Sequence, residues 1–213
     1  MTDTAKPASC VFLVDDDANI RTSLARALGL RGYEVRAYES AKEFLEAYDA
    51  ATAGCLILDF GMPQMDGLEL QRHLSEQDIK IPIIFITGHG GVPESVQAMK
   101  MGAMDFLEKP FKQSVLIERI DAALEADRKR REATERSSAM RARFDNLTDR
   151  EAQIARLIVK NPANNSSKDV ARHLNISPRT VDHHRARILE KMDVGSVAQL
   201  VELALKAEIF KRD

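Results

Sequence analysis

Short, unbroken apolar runs that end on carboxylates or hydroxyls restrict the fold of this chain more than any other feature. Cys10-Val11-Phe12-Leu13-Val14 stops at Asp15-Asp16-Asp17, Cys55 to Leu58 stops at Asp59, and Ile81 to Ile86 delivers Thr87. Runs this short, without polar alternation, suit strands buried on both faces, as in a parallel sheet covered by helices. Helical patterns lie between them. Ile20, Leu24, Ala27 and Leu28 recur at helical spacing before Gly32, and Ser40 with Glu43 caps a helix through Phe44, Leu45 and Tyr48. Asp66 with Glu69 opens the next helix, and Pro93 starts one that carries Val96 and Met99 and stops at Gly102. Glu34 to Tyr38 and Asp105-Phe106-Leu107 supply the second and fifth strands. Repeated strand-helix alternation with right-handed crossovers predicts an α/β doubly wound, parallel five-stranded sheet.

Open sheets of this kind bind ligands beyond the carboxyl ends of their strands. With strand order 2-1-3-4-5, Asp15, Asp16 and Asp59 meet at one edge, and Thr87 and Lys109 stand alongside. Taken singly, each is ordinary: a solvated helix start, a turn residue, a surface charge. Together they crowd negative charge that a cation would relieve, and Mg²⁺ takes oxygen ligands of this sort while keeping waters and a phosphate oxygen. Such a site suggests phosphoryl transfer, a chemistry in which an Asp carboxylate can be the nucleophile. Lys109 would offer its ammonium to the phosphoryl oxygens, Thr87 its hydroxyl, and Gly61 its carbonyl to the metal. Gly88-His89-Gly90-Gly91 reads as a flexible loop, with His89 a loop residue rather than a catalyst.

The 213 residues are comfortable for two domains. Residues 1–125 hold 12 Lys+Arg against 20 Asp+Glu, 126–144 hold 7 against 3, and 145–213 hold 12 against 10. An acidic front thus joins a mildly basic back, in keeping with a nucleic-acid partner for the second half. Cys10 and Cys55 open apolar runs outside any Cys/His cluster and are expected to be buried thiols in a reducing compartment. With no apolar run of membrane-spanning length and no signal-peptide layout at the start, the expected location is cytoplasmic.

Val115, Leu116, Ile120, Ala123 and Leu124 continue a helix that runs without Gly or Pro to about Arg143. Its apolar stripe ends near Leu124, so residues 126–144 are expected to form a solvated helical linker. Thr148 with Glu151 then caps a helix carrying Ile154, Leu157 and Ile158. A short helix from Lys168 to Leu174, a turn at Asn175-Ile176-Ser177 and a helix opened by Pro178 form a helix-turn-helix. Ser196 with Gln199 caps the last helix. In the recognition helix Val181, His184, Ile188 and Met192 should pack inward. Arg179, Asp182, His183, Ala186, Arg187 and Glu190 should face out toward a major groove. Arg179 and Arg187 suit phosphates or guanine edges, His183 a base edge, and Asp182 either a cytosine amino group or the orientation of an arginine.

Two resemblances carry these readings further. Val14-Asp15-Asp16, Asp59 with Met62-Pro63 and Met65-Asp66-Gly67, Thr87-Gly88 and Lys109-Pro110-Phe111 make residues 10 to about 125 resemble a response-regulator receiver domain. Leu147-Thr148, Arg150-Glu151, Lys168, Val170-Ala171, Leu174, Ile176-Ser177, Thr180-Val181 and the run from His184 to Val194 resemble the LuxR-type DNA-binding domain. Together the halves are similar to the FixJ branch of the NarL/LuxR response regulators. The resemblance implies domains at 1–125 and 145–213 joined by the linker, and a transcription factor rather than an enzyme. It implies that a sensor histidine kinase phosphorylates Asp59, with Mg²⁺ held by Asp15, Asp16, Asp59 and the Gly61 carbonyl. Thr87, Lys109 and the switch aromatic Phe106 report the phosphate, and the Lys109-Pro110 bond is cis. A homodimer then forms through the helix 4/strand 5 face and binds double-stranded DNA, with Lys168, Arg179, Thr180, Asp182, His183, Arg187 and Lys191 at the interface. RNA polymerase is a further partner open to such a regulator. One departure stands out: Asn161 to Ser167 is about three residues longer than the usual loop and replaces its Gly, which puts the first helix of the pair and Lys168 in question.

Overall fold

The computed structural model describes residues 9–88, 92–207 and 209. The expected loop residues His89 to Gly91 therefore lie outside the described residues. The chain divides into two compact units, Met1–Arg131 and Glu132–Asp213. No helix among the described residues is long and apolar enough to cross a membrane.

The first unit is built on strands β1 (Cys10–Val14), β2 (Glu34–Tyr38), β3 (Gly54–Asp59), β4 (Ile83–Thr87) and β5 (Asp105–Glu108), all parallel in the order β2-β1-β3-β4-β5. Between them run α1 (Ala18–Gly29), α2 (Ala41–Ala47), α3 (Gly67–Glu76) and α4 (Val92–Lys100), and α5 (Gln113–Asp145) leaves β5. The strands alternate their side chains between two cores. Phe12, Leu56, Leu58 and Phe85 meet Phe44 of α2, Leu70 and Leu74 of α3 and Ala98 of α4. Val11, Leu13, Ile57, Ile84 and Ile86 meet Leu28 of α1 and Leu116 and Ile120 of α5. Both faces of the sheet are covered at its centre, which is why β1, β3 and β4 read as unbroken apolar runs, whereas the edge strands β2 and β5 carry charged residues. Cys10 and Cys55 are buried thiols, and burial pushes the Cys10 pKa up to about 11 and that of Cys55 higher still.

Two local outcomes differ from the expectations. The strand predicted from Ile81 begins at Ile83, because Pro82 has no N–H for the ladder and serves it through its carbonyl, which accepts from Leu56 N. The solvated linker expected from residue 126 also begins later. Asp127 is 1% exposed, accepting from Gly54 N at 3.0 Å and from Arg131 Nε at 2.7 Å, with Arg130 on its other oxygen. Arg131 donates further to the carbonyls of Ala50, Ala51 and Thr52. Asp127, Arg130 and Arg131, read from sequence as part of a solvated face, thus anchor α5 to the loop before β3, while Arg128 and Lys129 between them pair with Glu125 of the same helix.

The second unit contains the end of α5 and helices α6 (Asp149–Lys160), α7 (Ser167–Leu174), α8 (Pro178–Met192) and α9 (Val197–Lys206). Phe144 of α5 is buried with Ile154, Ile158, Val170, Val181, Ile188, Met192 and Leu200, and Met140 packs against them. This core lies on the inward faces that helical spacing marks. The lengthened stretch after α6 is not slack: Pro162–Asn164 winds into a 3₁₀ turn, and Ser166 caps α7 by accepting from Asp169 N at 3.2 Å. Asn175 takes the left-handed conformation (φ 51°) that makes the tight turn into α8, a conformation Asn tolerates better than most residues.

Candidate functional site

At the carboxyl end of the sheet, Asp15 and Asp59 leave neighbouring strands and are 1% and 7% exposed. Two buried carboxylates side by side require positive charge, and Lys109 supplies it. Its Nζ lies 2.9 Å from Asp15 Oδ2 and 2.7 Å from Asp59 Oδ1. Lys109 N donates to the Thr87 carbonyl at 2.7 Å, and the Lys109-Pro110 peptide is cis, as the resemblance implies. The second oxygen of Asp59 accepts from Gly61 N at 2.9 Å, and Asp15 Oδ1 accepts from Asp17 N at 2.9 Å. Asp17 also caps α1 through Asn19 N.

Burial pushes the Asp15 carboxyl above its ordinary value, and the bond from Lys109 only partly offsets this. Burial alone would lower the Lys109 ammonium, but its bonds to Asp59 and Asp15 outweigh that and raise it. The lysine is held charged while Asp15 remains short of compensating positive charge. A further cation would favour its ionised form.

Two close approaches shape the pocket wall. Gly67 has ordinary backbone freedom to spare, yet a Cβ there would meet the Asp59 carbonyl and the Phe85 ring at 2.7 Å. The glycine of Asp66-Gly67 is needed for space, where the sequence pattern suggests a turn. Thr87 is 3% exposed at the end of β4. Phe106 is half-buried, edge-on to Phe60 with centroids 6.1 Å apart and tilted against Phe85 at 6.2 Å.

The structure corrects the expected three-carboxylate cluster. Asp16 is exposed and, as the side chains stand, forms no group of three with the buried Asp15 and Asp59. Among the described residues no three His, Cys, Asp or Glu side chains form a group that could hold a metal as they stand. Two carboxylates and a backbone carbonyl nonetheless match the donor set of Mg²⁺, which binds through one or two carboxylates and retains waters. Arg21 was not found from sequence: its Nη1 donates to the Asp15 carbonyl at 2.7 Å. Its place one turn beyond the Asp17 cap is the signal that could have shown it.

On the second unit, Lys168, Arg179, Thr180, Asp182, His183 and Arg187 are exposed, and Val181, Ile188 and Met192 are buried, as helical spacing predicts. His184 is half-buried, with a buried Nδ1 that has no hydrogen-bond partner among the described residues. Thr180 is engaged at the start of α8, where its N–H donates to the capping Ser177 hydroxyl at 3.0 Å. Lys191 is committed elsewhere: its Nζ is 2.6 Å from Glu151, which is 1% exposed, and 3.3 Å from the Asn146 carbonyl. Burial alone would raise Glu151, but Lys191 and the Thr148 bonds overcome it and push the carboxyl down to about 2. The capping-box spacing marks Glu151 in sequence; its distant partner is invisible there. Ser167, which donates to Asp182, and Arg185, which donates to Ser167, were also not found from sequence.

Comparison with known proteins agrees with both halves. Residues 11–121 match the response regulator receiver domain family, and residues 145–204 match the LuxR family of bacterial regulatory proteins. The chain is 43% identical over 195 residues to the transcriptional regulatory protein FixJ of Rhizobium meliloti (strain 1021), covering 92% of this chain and 94% of that protein. It is 39% identical to the response regulator protein TodT of Pseudomonas putida over 92% of this chain and 85% of the relative. Among solved structures, the response regulator StyR aligns with a TM-score of 0.82 and 40% identity, covering 93% of this chain and 99% of that one. Full-length FixJ from B. japonicum aligns at 0.58 with 36% identity, covering 95% and 98%.

Proposed function

We propose, given that this chain belongs to the response regulators that join a receiver domain to a LuxR-type helix-turn-helix, that Asp59 is its phosphoacceptor and that phosphorylation drives dimerisation and DNA binding. The observation that carries this reading is the Lys109 ammonium held between Asp15 and Asp59 at the carboxyl end of the sheet. An Asp59 oxygen attacks the phosphorus of a phosphohistidine on a sensor kinase. The O–P bond forms, the P–N bond breaks, and the departing imidazole takes up a proton. Asp15, Asp59 and the Gly61 carbonyl, with Asp16 on the solvent side, would hold Mg²⁺, which when bound offsets the charge of the carboxylates and phosphoryl oxygens.

Lys109 turns from the carboxylates to a phosphoryl oxygen, and the Thr87 hydroxyl donates to another. Movement of Thr87 opens space for Phe106 to turn from its place against Phe60 and Phe85, which makes the α4/β5 face the reporter of the phosphate. That face carries the exposed apolar side chains Val96, Met99 and Met104, suited to a twofold contact. The dimer presents two α8 helices to paired half-sites in successive major grooves, where Arg179, His183 and Arg187 meet DNA and Lys168 a phosphate. Lys191 contributes less than the others because Glu151 already neutralises it. The protein acts in the cytoplasm, turns over nothing but its own aspartyl phosphate, and works with RNA polymerase at its promoters.

The test is phosphoryl incorporation from acetyl phosphate with Mg²⁺, followed by sizing and DNA binding. Wild type is expected to take up one phosphoryl group, to dimerise and to bind DNA more tightly, and Asp59→Asn to do none of these. A phosphorylated protein that stays monomeric with unchanged DNA affinity would refute the switch.

A further inference from the structure

The outward face of α8 carries a carboxylate, Asp182, where a DNA-reading helix meets a field of phosphates. Such a group is repelled unless it has a hydrogen-bonding task. Its surroundings supply one. The Ser167 hydroxyl donates its only proton to Asp182 Oδ1 and accepts from Arg185 Nη1 at 2.9 Å. Asp182 and Arg185 stand one turn apart on α8, and the hydroxyl of a different helix links them. A hydroxyl that donates and accepts at once is polarised in both directions, which strengthens and orients both bonds. The serine itself is fixed, since it is the first residue of α7 and follows the Ser166 cap. It also ends the lengthened stretch Asn161 to Ser167, shaped by the 3₁₀ turn Pro162–Asn164.

The second oxygen, Oδ2, accepts from no described residue and is left for an outside donor. In the major groove an Asp acceptor pairs with the amino group of cytosine. We propose that Ser167 is a positioning residue for base reading: it aims Asp182 so that Oδ2 accepts from a cytosine N4 amino group. Arg185, held by the same hydroxyl, offsets the charge. This rests on the DNA-binding reading above and extends it to one base pair and to a residue outside the recognition helix.

The experiment selects duplexes from a random-sequence library with the phosphorylated full-length protein. Each pair of the selected site is then changed in turn in competition binding. Asp182→Ala is expected to lose the preference for cytosine at one position, a change on the order of 10-fold, while the slope of affinity against salt stays the same. Ser167→Ala loses preference at that same position, and Ser167→Thr, which keeps the hydroxyl, restores it. Ser167→Gly replaces Ser167→Ala should the latter lower the melting temperature. The proposal is overturned if Ser167→Ala keeps the wild-type preferences, if it weakens all duplexes equally, or if Asp182→Ala leaves every position unchanged. A wild-type protein that selects no sequence overturns the DNA-binding reading as well, and is distinguished by its failure before any variant is compared.

Discussion

Strand β3 has a buried carboxylate at each end, and the two are held in opposite ways. At its carboxyl end, Asp59 faces one lysine shared with Asp15. At its amino end, Gly54 donates to Asp127, which two arginines grip while Arg131 also binds three carbonyls. An ammonium on a flexible stem neutralises a carboxylate without committing it, whereas a guanidinium fork spread over four acceptors is fully engaged. The first arrangement can exchange one anion for another. The second holds α5 on the sheet.

The largest expected effect separates the two ends by function. Asp59→Asn removes phosphoryl incorporation altogether with little change in urea midpoint, and Asp127→Ala leaves incorporation intact. If both variants lose incorporation, the two ends are not independent. Second in size is the stability cost of the lock. Asp127→Ala removes the acceptor of Gly54 N and the carboxylate shared by Arg130 and Arg131, and should cost about 3 kcal/mol, the low end for a broken buried pair because Arg131 keeps its three carbonyls and both arginines keep access to water. Urea unfolding of the full chain measures it, and a loss below roughly 0.5 kcal/mol would class the cluster with ordinary surface pairs.

Gly67→Ala tests the wall behind Asp59. A methyl 2.7 Å from the Asp59 carbonyl must displace backbone, so it should cost about 1–3 kcal/mol and slow incorporation, read by the same urea curve and labelling rate. The smallest effect sharpens the comparison from the second unit, where Lys191 grips Glu151 as a permanent tie. The folded pKa of Glu151 is lowered to about 2 from an ordinary 4.5. A lowered folded pKa means its stabilisation is complete above the ordinary value and is lost as pH falls from 4.5 toward 2. Acid titration of wild type against Glu151→Gln should show the variant lacking that part of the pH dependence. Asp15 points the other way: its pKa is raised, so a lysine partner alone does not decide whether a carboxylate is a tie or a reactive group. At Asp15 the cost of burial, with the Asp59 charge added to it, outweighs the bond from Lys109, whereas at Glu151 the bonds from Lys191 and Thr148 outweigh it.

Local rules made much of this legible. Apolar runs covered on both sides marked β1, β3 and β4, and spacing marked the inward faces of α6 and α8; on α9 it found Leu200, while Leu205 of the same helix is exposed. Capping residues Asp66, Thr148 and Ser196 each hold the backbone N–H expected of them. Asp59, Asp15 and Lys109 could be grouped because strand ends in a sheet of known order must be neighbours. Asp16 could not be told from the buried Asp15 that way, since adjacency in sequence does not report burial. The run from Asp127 to Arg131 misled for a related reason: charge composition reports solvation only when no distant acceptors are supplied.

By itself, then, the sequence determined the strand-helix alternation, the helix-turn-helix and the set of side chains at the strand ends, because each follows from periodicity and short-range hydrogen bonding. Only the tertiary structure decided which charges are tied. Lys109 reaches across from 94 residues away to Asp15, Asp127 is 73 residues from Gly54, and Lys191 is 40 residues from Glu151. An ion pair depends on distance and burial in space, and neither is written along the chain.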